Sequence, residues 1–159
     1  MNATTAPSPS PRWFAPVFLG GLLSGAIDLT YACTYHGLVN KIPPVRIFQS
    51  IGSGWFGKAS FEMGWQSATI GFLSHFGILI VAAGIFYAAR RRFALLRERP
   101  YPCGMAFGVG IWLTMNYIVL PLSAAPHFQS KPLTTATDFA VHVLLLGPAI
   151  SLVAKRFDR

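Results

Sequence analysis

Residues 67–89 read SATIGFLSHFGILIVAAGIFYAA and run straight into Arg90-Arg91-Arg92. The stretch holds no Lys, Arg, Asp or Glu. At about 1.5 Å rise per residue it is long enough to cross roughly 30 Å of hydrocarbon as a helix. In lipid the backbone must satisfy its own hydrogen bonds, which leaves helices and closed barrels. The alternating pattern of a membrane barrel is absent, so the segment reads as a transmembrane helix stopped by arginines.

Three further stretches have the same character, at about 14–35, 104–122 and 134–154. Composition agrees. The 159 residues are 53% hydrophobic and 11% charged, where soluble domains carry about 25% charged residues. A chain this short has too little interior to hide so much apolar surface from water. The predicted fold is therefore all-α: a four-helix transmembrane bundle, one domain over 13–159, behind a disordered Pro-rich cytoplasmic tail over 1–12. A signal peptide fits the first stretch badly, because Asp28 interrupts the apolar run and Thr30-Tyr31-Ala32 makes a poor cleavage site.

Lysine and arginine set the expected orientation. The segment after the second helix holds Arg90, Arg91, Arg92, Arg97 and Arg99 and marks the cytoplasm. With four spans both termini lie on that side, together with Arg12, Lys155, Arg156 and Arg159. Only Lys41, Arg46, Lys58 and Lys131 fall outside. The net charge of +8 is thus read as a topology signal and a means of adhering to lipid, and no nucleic-acid partner is expected. Cys33 and Cys103 fall near opposite faces, too far apart to bridge.

The first outer loop, 36–66, contains Pro43-Pro44-Val45, which suits the first turn of a helix. Val45, Phe48, Ile51 and Trp55 would then share a face, predicting a short interfacial helix on the outer membrane surface; a re-entrant segment is the alternative. The same loop holds Gly52-Ser53-Gly54-Trp55-Phe56-Gly57, a literal G-x-G-x-x-G. The dinucleotide fingerprint requires a βαβ setting, which is lacking, so no nucleotide is expected. The glycines instead permit a turn or close helix approach.

Charged groups inside a membrane each need an explanation. Asp28 shares one stripe of the first helix with Gly21, Ser24, Tyr31 and Tyr35. Small residues on that stripe admit another helix, so Asp28 faces protein. Counted from the flanking basic residues, Asp28, His75, Asn116 and His142 all lie about 20–25 Å from the cytoplasmic charges. Each helix thus contributes one strongly polar side chain to a single level in the outer half of the membrane. His75, on a stripe with Ala68, Gly71 and Ala82, is the expected partner of Asp28. Asp138 and His142, four apart, pair with each other, and Gly108, Trp112 and Asn116 align on the third helix.

The layer has three readings: polar glue between helices, a proton or ion site, and metal ligation by Asp28, His75 and His142. No spacing in the sequence fixes a metal geometry, so no metal and no cofactor is expected. Pro121 and Pro148 interrupt helices and predict kinks. Ser67, Ser74 and Ser123 have no nucleophile motif, so no enzyme is expected. The leading function is a non-enzymatic structural or interaction role in the membrane. The alternative is a small proton- or ion-coupled transporter using the Asp/His layer. Four short helices leave little room for a pathway, and a homo-oligomer would supply it.

Several motifs also resemble a known family. They are Gly20-Gly21-Leu22-Leu23-Ser24-Gly25-Ala26-Ile27-Asp28, Ser50-Ile51-Gly52-Ser53-Gly54 with Gly57-Lys58-Ala59, and Ser74-His75-Phe76. Met115-Asn116-Tyr117 with Leu120-Pro121-Leu122-Ser123, and His142 with Gly147-Pro148, complete the set. Together they resemble a family of short uncharacterised bacterial inner-membrane proteins with four predicted transmembrane helices, over roughly 19–157. The resemblance implies a bacterial inner membrane and a compact helical unit, and marks Asp28, His75, Asn116 and His142 as motif positions. It carries no activity.

Overall fold

Helices form wherever the apolar stretches lie. The computed structural model describes residues 13–126 and 131–158; the tail expected over 1–12 lies outside them. Every regular element among the described residues is helical. In chain order they are α1 (Phe14–Val39), α2 (Pro44–Phe56), a short 3-10 helix (Gly57–Phe61), α3 (Trp65–Arg92), α4 (Ala94–Glu98), α5 (Pro100–Leu122) and α6 (Pro132–Arg156). Four of them, α1, α3, α5 and α6, are long and apolar enough to cross a membrane. All ends but the α1 N-terminus and the α5 C-terminus run a few residues past the hydropathy limits, because polar residues at a membrane surface continue a helix without a desolvation cost.

The packing is inside out relative to a soluble bundle. Leu73, Val81 and Ile85 of α3 are 63%, 63% and 60% exposed. The buried positions of α1 are mostly small: Gly20, Gly21, Ser24 and Gly25. Lipid tails solvate large apolar groups as well as protein does, so helix association depends on close backbone contact, which small residues allow. At Gly21 an added Cβ would lie 2.5 Å from the Ile80 Cα of α3. At Gly108 it would lie 2.8 Å from the His142 carbonyl carbon of α6. The neighbours in order are α3, α1, α6 and α5. Toward the arginine-rich end, Ala82, Ala83, Phe86, Ile111, Ile150 and Ala154 form the apolar core. There the Phe86 and Phe107 rings join α3 to α5 with centroids 5.0 Å apart.

At Pro121 and Pro148, where interruptions are expected, the helical hydrogen-bond pattern changes. Each follows a widened π turn, Met115–Val119 and His142–Leu146. The Leu120 N–H reaches back five residues to the Met115 carbonyl, and the Gly147 N–H to the His142 carbonyl. The missing proline N–H and ring bulk are absorbed in one wide turn. Asn116 and His142 both sit in these turns.

The helix expected after Pro43-Pro44 is α2, and it is anchored to α3 rather than merely resting beside the bundle. Gly52 meets the Ser67 backbone at the α2–α3 crossing. Gln49 donates to the Gly64 carbonyl (3.0 Å), Ser60 to the Gln49 carbonyl (2.7 Å) and Ser67 to the Ser60 carbonyl (2.5 Å). Phe48 packs edge-on against Phe72. Trp55 is 69% exposed, with its indole N–H on the Ser74 hydroxyl. That is the amphipathic disposition of an aromatic at a membrane–water boundary. Gly57, at φ +58°, ends the helix in a conformation that disfavours side chains. The Ala124 N–H then donates to the Gly54 carbonyl and ties this end of α2 to the chain just beyond α5. The G-x-G-x-x-G thus serves close approach and a turn.

At the opposite end, Arg90 is not a free surface charge. It is only 1% exposed. Its Nε donates to both Asp158 carboxylate oxygens (3.1 and 2.9 Å), Nη2 also bonds Asp158, and Nη1 bonds the Leu96 carbonyl. Arg97 returns a bond to the Arg90 carbonyl (3.0 Å). One guanidinium therefore joins α3, α4 and the C-terminal segment. Asp158→Ala strands that cation, and we expect a loss of about 1–3 kcal/mol. This is below the cost of breaking a fully buried pair, because the Asp158 side chain is 33% exposed. Reversible SDS unfolding of the purified protein measures it.

Candidate functional site

Asp28 sits one turn beyond the small-residue face of α1 and is half-buried between neighbouring helices, its side chain 19% exposed. His75 of α3 lies beside it, with Nε2 3.9 Å from the Asp28 Oδ2. A carbonyl can only accept, so the His75 Nε2–H donates to the Gly25 carbonyl at 3.0 Å. The imidazole is 7% exposed and its ring meets Phe76 edge-on.

On the other side of Asp28 stands α6. His142 is 8% exposed and its Nδ1–H donates to the Asp138 carbonyl at 2.9 Å. The same nitrogen lies 3.6 Å from the Asp138 Oδ1. Trp112 of α5 donates its indole N–H to the Asp138 Oδ2 at 2.8 Å. Donor atoms of Asp28, Asp138 and His142 lie within 4.8 Å of one another. Asp28 itself makes no side-chain hydrogen bond among the described residues.

The sequence expectations divide here. Asp28 and His75 are neighbours. The expected Asp138–His142 pairing is present, but it does not draw His142 away from Asp28. The carboxylate from α1 lies within reach of both imidazoles. Asn116 is not joined to the other three by any hydrogen bond or ion pair among the described residues. Its amide donates to the Trp112 carbonyl (2.9 Å), which steadies the residue that holds Asp138. Sequence reasoning placed Asp138 only as a partner of His142 and missed its place in the cluster. The signal was its four-residue spacing to His142 together with Trp112 on the aligned face of α5.

Beyond the cluster, two hydroxyl pairs lock α1 to α6. Tyr31 meets Thr137 at 2.7 Å and Tyr35 meets Thr134 at 3.2 Å. They fix the register that brings Asp28 opposite Asp138. The result is a helical protein with four helices fit to span a membrane, in which two buried imidazoles and two half-buried carboxylates are gathered between α1, α3 and α6. Comparison with protein-family models, curated proteins and solved structures finds no match to the chain.

Proposed function

We propose that this protein is a non-enzymatic, proton- or ion-coupled membrane protein of the bacterial inner membrane, with both termini cytoplasmic and with a homo-oligomer as the working unit. The cluster of Asp28, His75, Asp138 and His142 is its ion-binding element. One observation carries this reading: among the described residues Asp28 has no hydrogen-bond partner, and it faces a second carboxylate in a bundle whose four long helices are apolar enough to cross a membrane. Two ionised carboxylates this close repel each other, which favours a proton or a cation held between them. Proton flux into proteoliposomes, followed with an internal pH dye under an imposed potential, tests it. Flux above that of protein-free liposomes is expected, and its absence at every pH would remove the coupling role.

A structural role is the second reading. It is favoured by the satisfaction of the His75, His142 and Trp112 N–H groups within the chain. Polar glue of this kind would fix helix pairing without any bound ion.

Orientation has its own test. The arginines of 90–99 are the densest basic block, so a cytoplasm-active reporter fused after Arg97 should be active and one fused after Lys131 inactive. Activity at Lys131 with silence at Arg97 would invert the protein.

A further inference from the structure

We infer that Asp28, Asp138 and His142 form a binding site for a divalent first-row transition-metal ion, with His75 as a positioning residue beside it. This rests on the reading of the same cluster as the ion-binding element, and names the ion. The donor set is mixed oxygen and nitrogen, which suits manganese, iron, cobalt, nickel or zinc better than calcium or magnesium. The charge also fits. Two ionised carboxylates with neutral imidazoles carry two negative charges, and one divalent cation cancels them without a proton.

The surroundings of each donor match what metal ligands need. The His142 Nδ1–H is taken by the Asp138 carbonyl, so in the neutral ring Nε2 carries the lone pair. A carbonyl on the far nitrogen is the usual support for a metal-binding histidine. Trp112 occupies only the Oδ2 of Asp138 and leaves Oδ1 open. Asp28 is unbonded. His75 is different, because its Nε2–H is committed to Gly25 and points at a carbonyl. It sits 3.9 Å from Asp28, packed beside that carboxylate rather than ligating.

One ring nitrogen of His142 and one carboxylate oxygen each of Asp28 and Asp138 lie within 4.8 Å of one another. A tetrahedral site with bonds of about 2.0–2.2 Å requires donors roughly 3.5 Å apart, so they must close by about an ångström. The widened turn that carries His142 supplies backbone freedom for this at the ligand itself. Tyr31–Thr137 and Tyr35–Thr134 keep α1 and α6 aligned.

The test uses the full chain, purified without a polyhistidine tag, in nanodiscs of one stated lipid composition, with Co²⁺ as probe. We expect one Co²⁺ per protomer, with a visible absorption band of protein-bound cobalt, displaced by Zn²⁺ and not by Ca²⁺ or Mg²⁺. Asp28→Asn, Asp138→Asn and His142→Gln should each weaken Co²⁺ binding by roughly tenfold to a hundredfold or more, with helical circular dichroism unchanged. His75→Gln should weaken it less. His36→Gln should leave it unaltered, because His36 sits at the end of α1 on Asn40. No Co²⁺ bound at millimolar concentration, or binding indifferent to all three ligand variants, overturns the inference. Failure of Co²⁺ binding alongside Asp28-dependent proton flux would sink the metal site and leave the ion-coupled reading standing. Co²⁺ bound at the cluster in a protein without flux would do the reverse.

Discussion

Asp28→Asn folds like the wild type and brings proton flux in proteoliposomes down to the level of protein-free liposomes. The amide has the size of the carboxylate and can still hydrogen-bond across helices, so packing beside His75 is kept. What it loses is the negative charge and the capacity to take up or release a proton. Among the described residues Asp28 is the member of the cluster with no hydrogen bond to lose, so the substitution removes chemistry without removing a hydrogen bond. If the cluster is only glue, the same variant retains both fold and function. Flux, read beside an unfolding curve of the same preparation, separates the two.

Gly108→Leu has the largest expected effect on stability. A bare Cβ there would lie 2.8 Å from the His142 carbonyl carbon and 3.0 Å from the Val143 Cα. These are backbone atoms of α6 and cannot rotate aside, so a leucine forces the helices apart. Overpacking of this kind costs about 1–3 kcal/mol, and here the upper end is expected because no flexible side chain absorbs the strain. The displaced segment carries His142 and lies one turn from Asp138, so ion binding falls with stability. Gly110→Leu is the control: nothing lies within 4 Å of an added Cβ at Gly110, and helix propensity improves. Reversible SDS unfolding of the pair should show a large loss for Gly108 and none for Gly110.

The sequence made the spans legible because a 3.6-residue helix in lipid needs only length and apolarity, and 67–89 has both. Depth counting from the arginines also aligned Asp28 with His75 and His142, because rise per residue is constant in a helix. Rotation about each helix axis and the order of helices around the bundle are not encoded in depth. That is why Asn116, at the right level, turned out to bond its own helix, and why Asp138, a turn away from His142, entered the cluster unannounced. Arg90 shows the same limit. Its sequence context is a basic run, and only the return of the chain to Asp158 makes it an internal anchor. The α2 crossing was half legible: the prolines and glycines marked a helix and a turn, while the serine network that fixes it to α3 involves partners with no sequence pattern.

The central claim is that a carboxylate from α1 and one from α6 act as a single ion-binding unit. A double-mutant cycle on Asp28→Asn and Asp138→Asn, read as proton flux in proteoliposomes, tests it most directly. If the two carboxylates share their ion, each single variant loses nearly all flux and the double variant is no worse than either. Independent, multiplicative losses from the two substitutions, or full flux in either single variant, would contradict it.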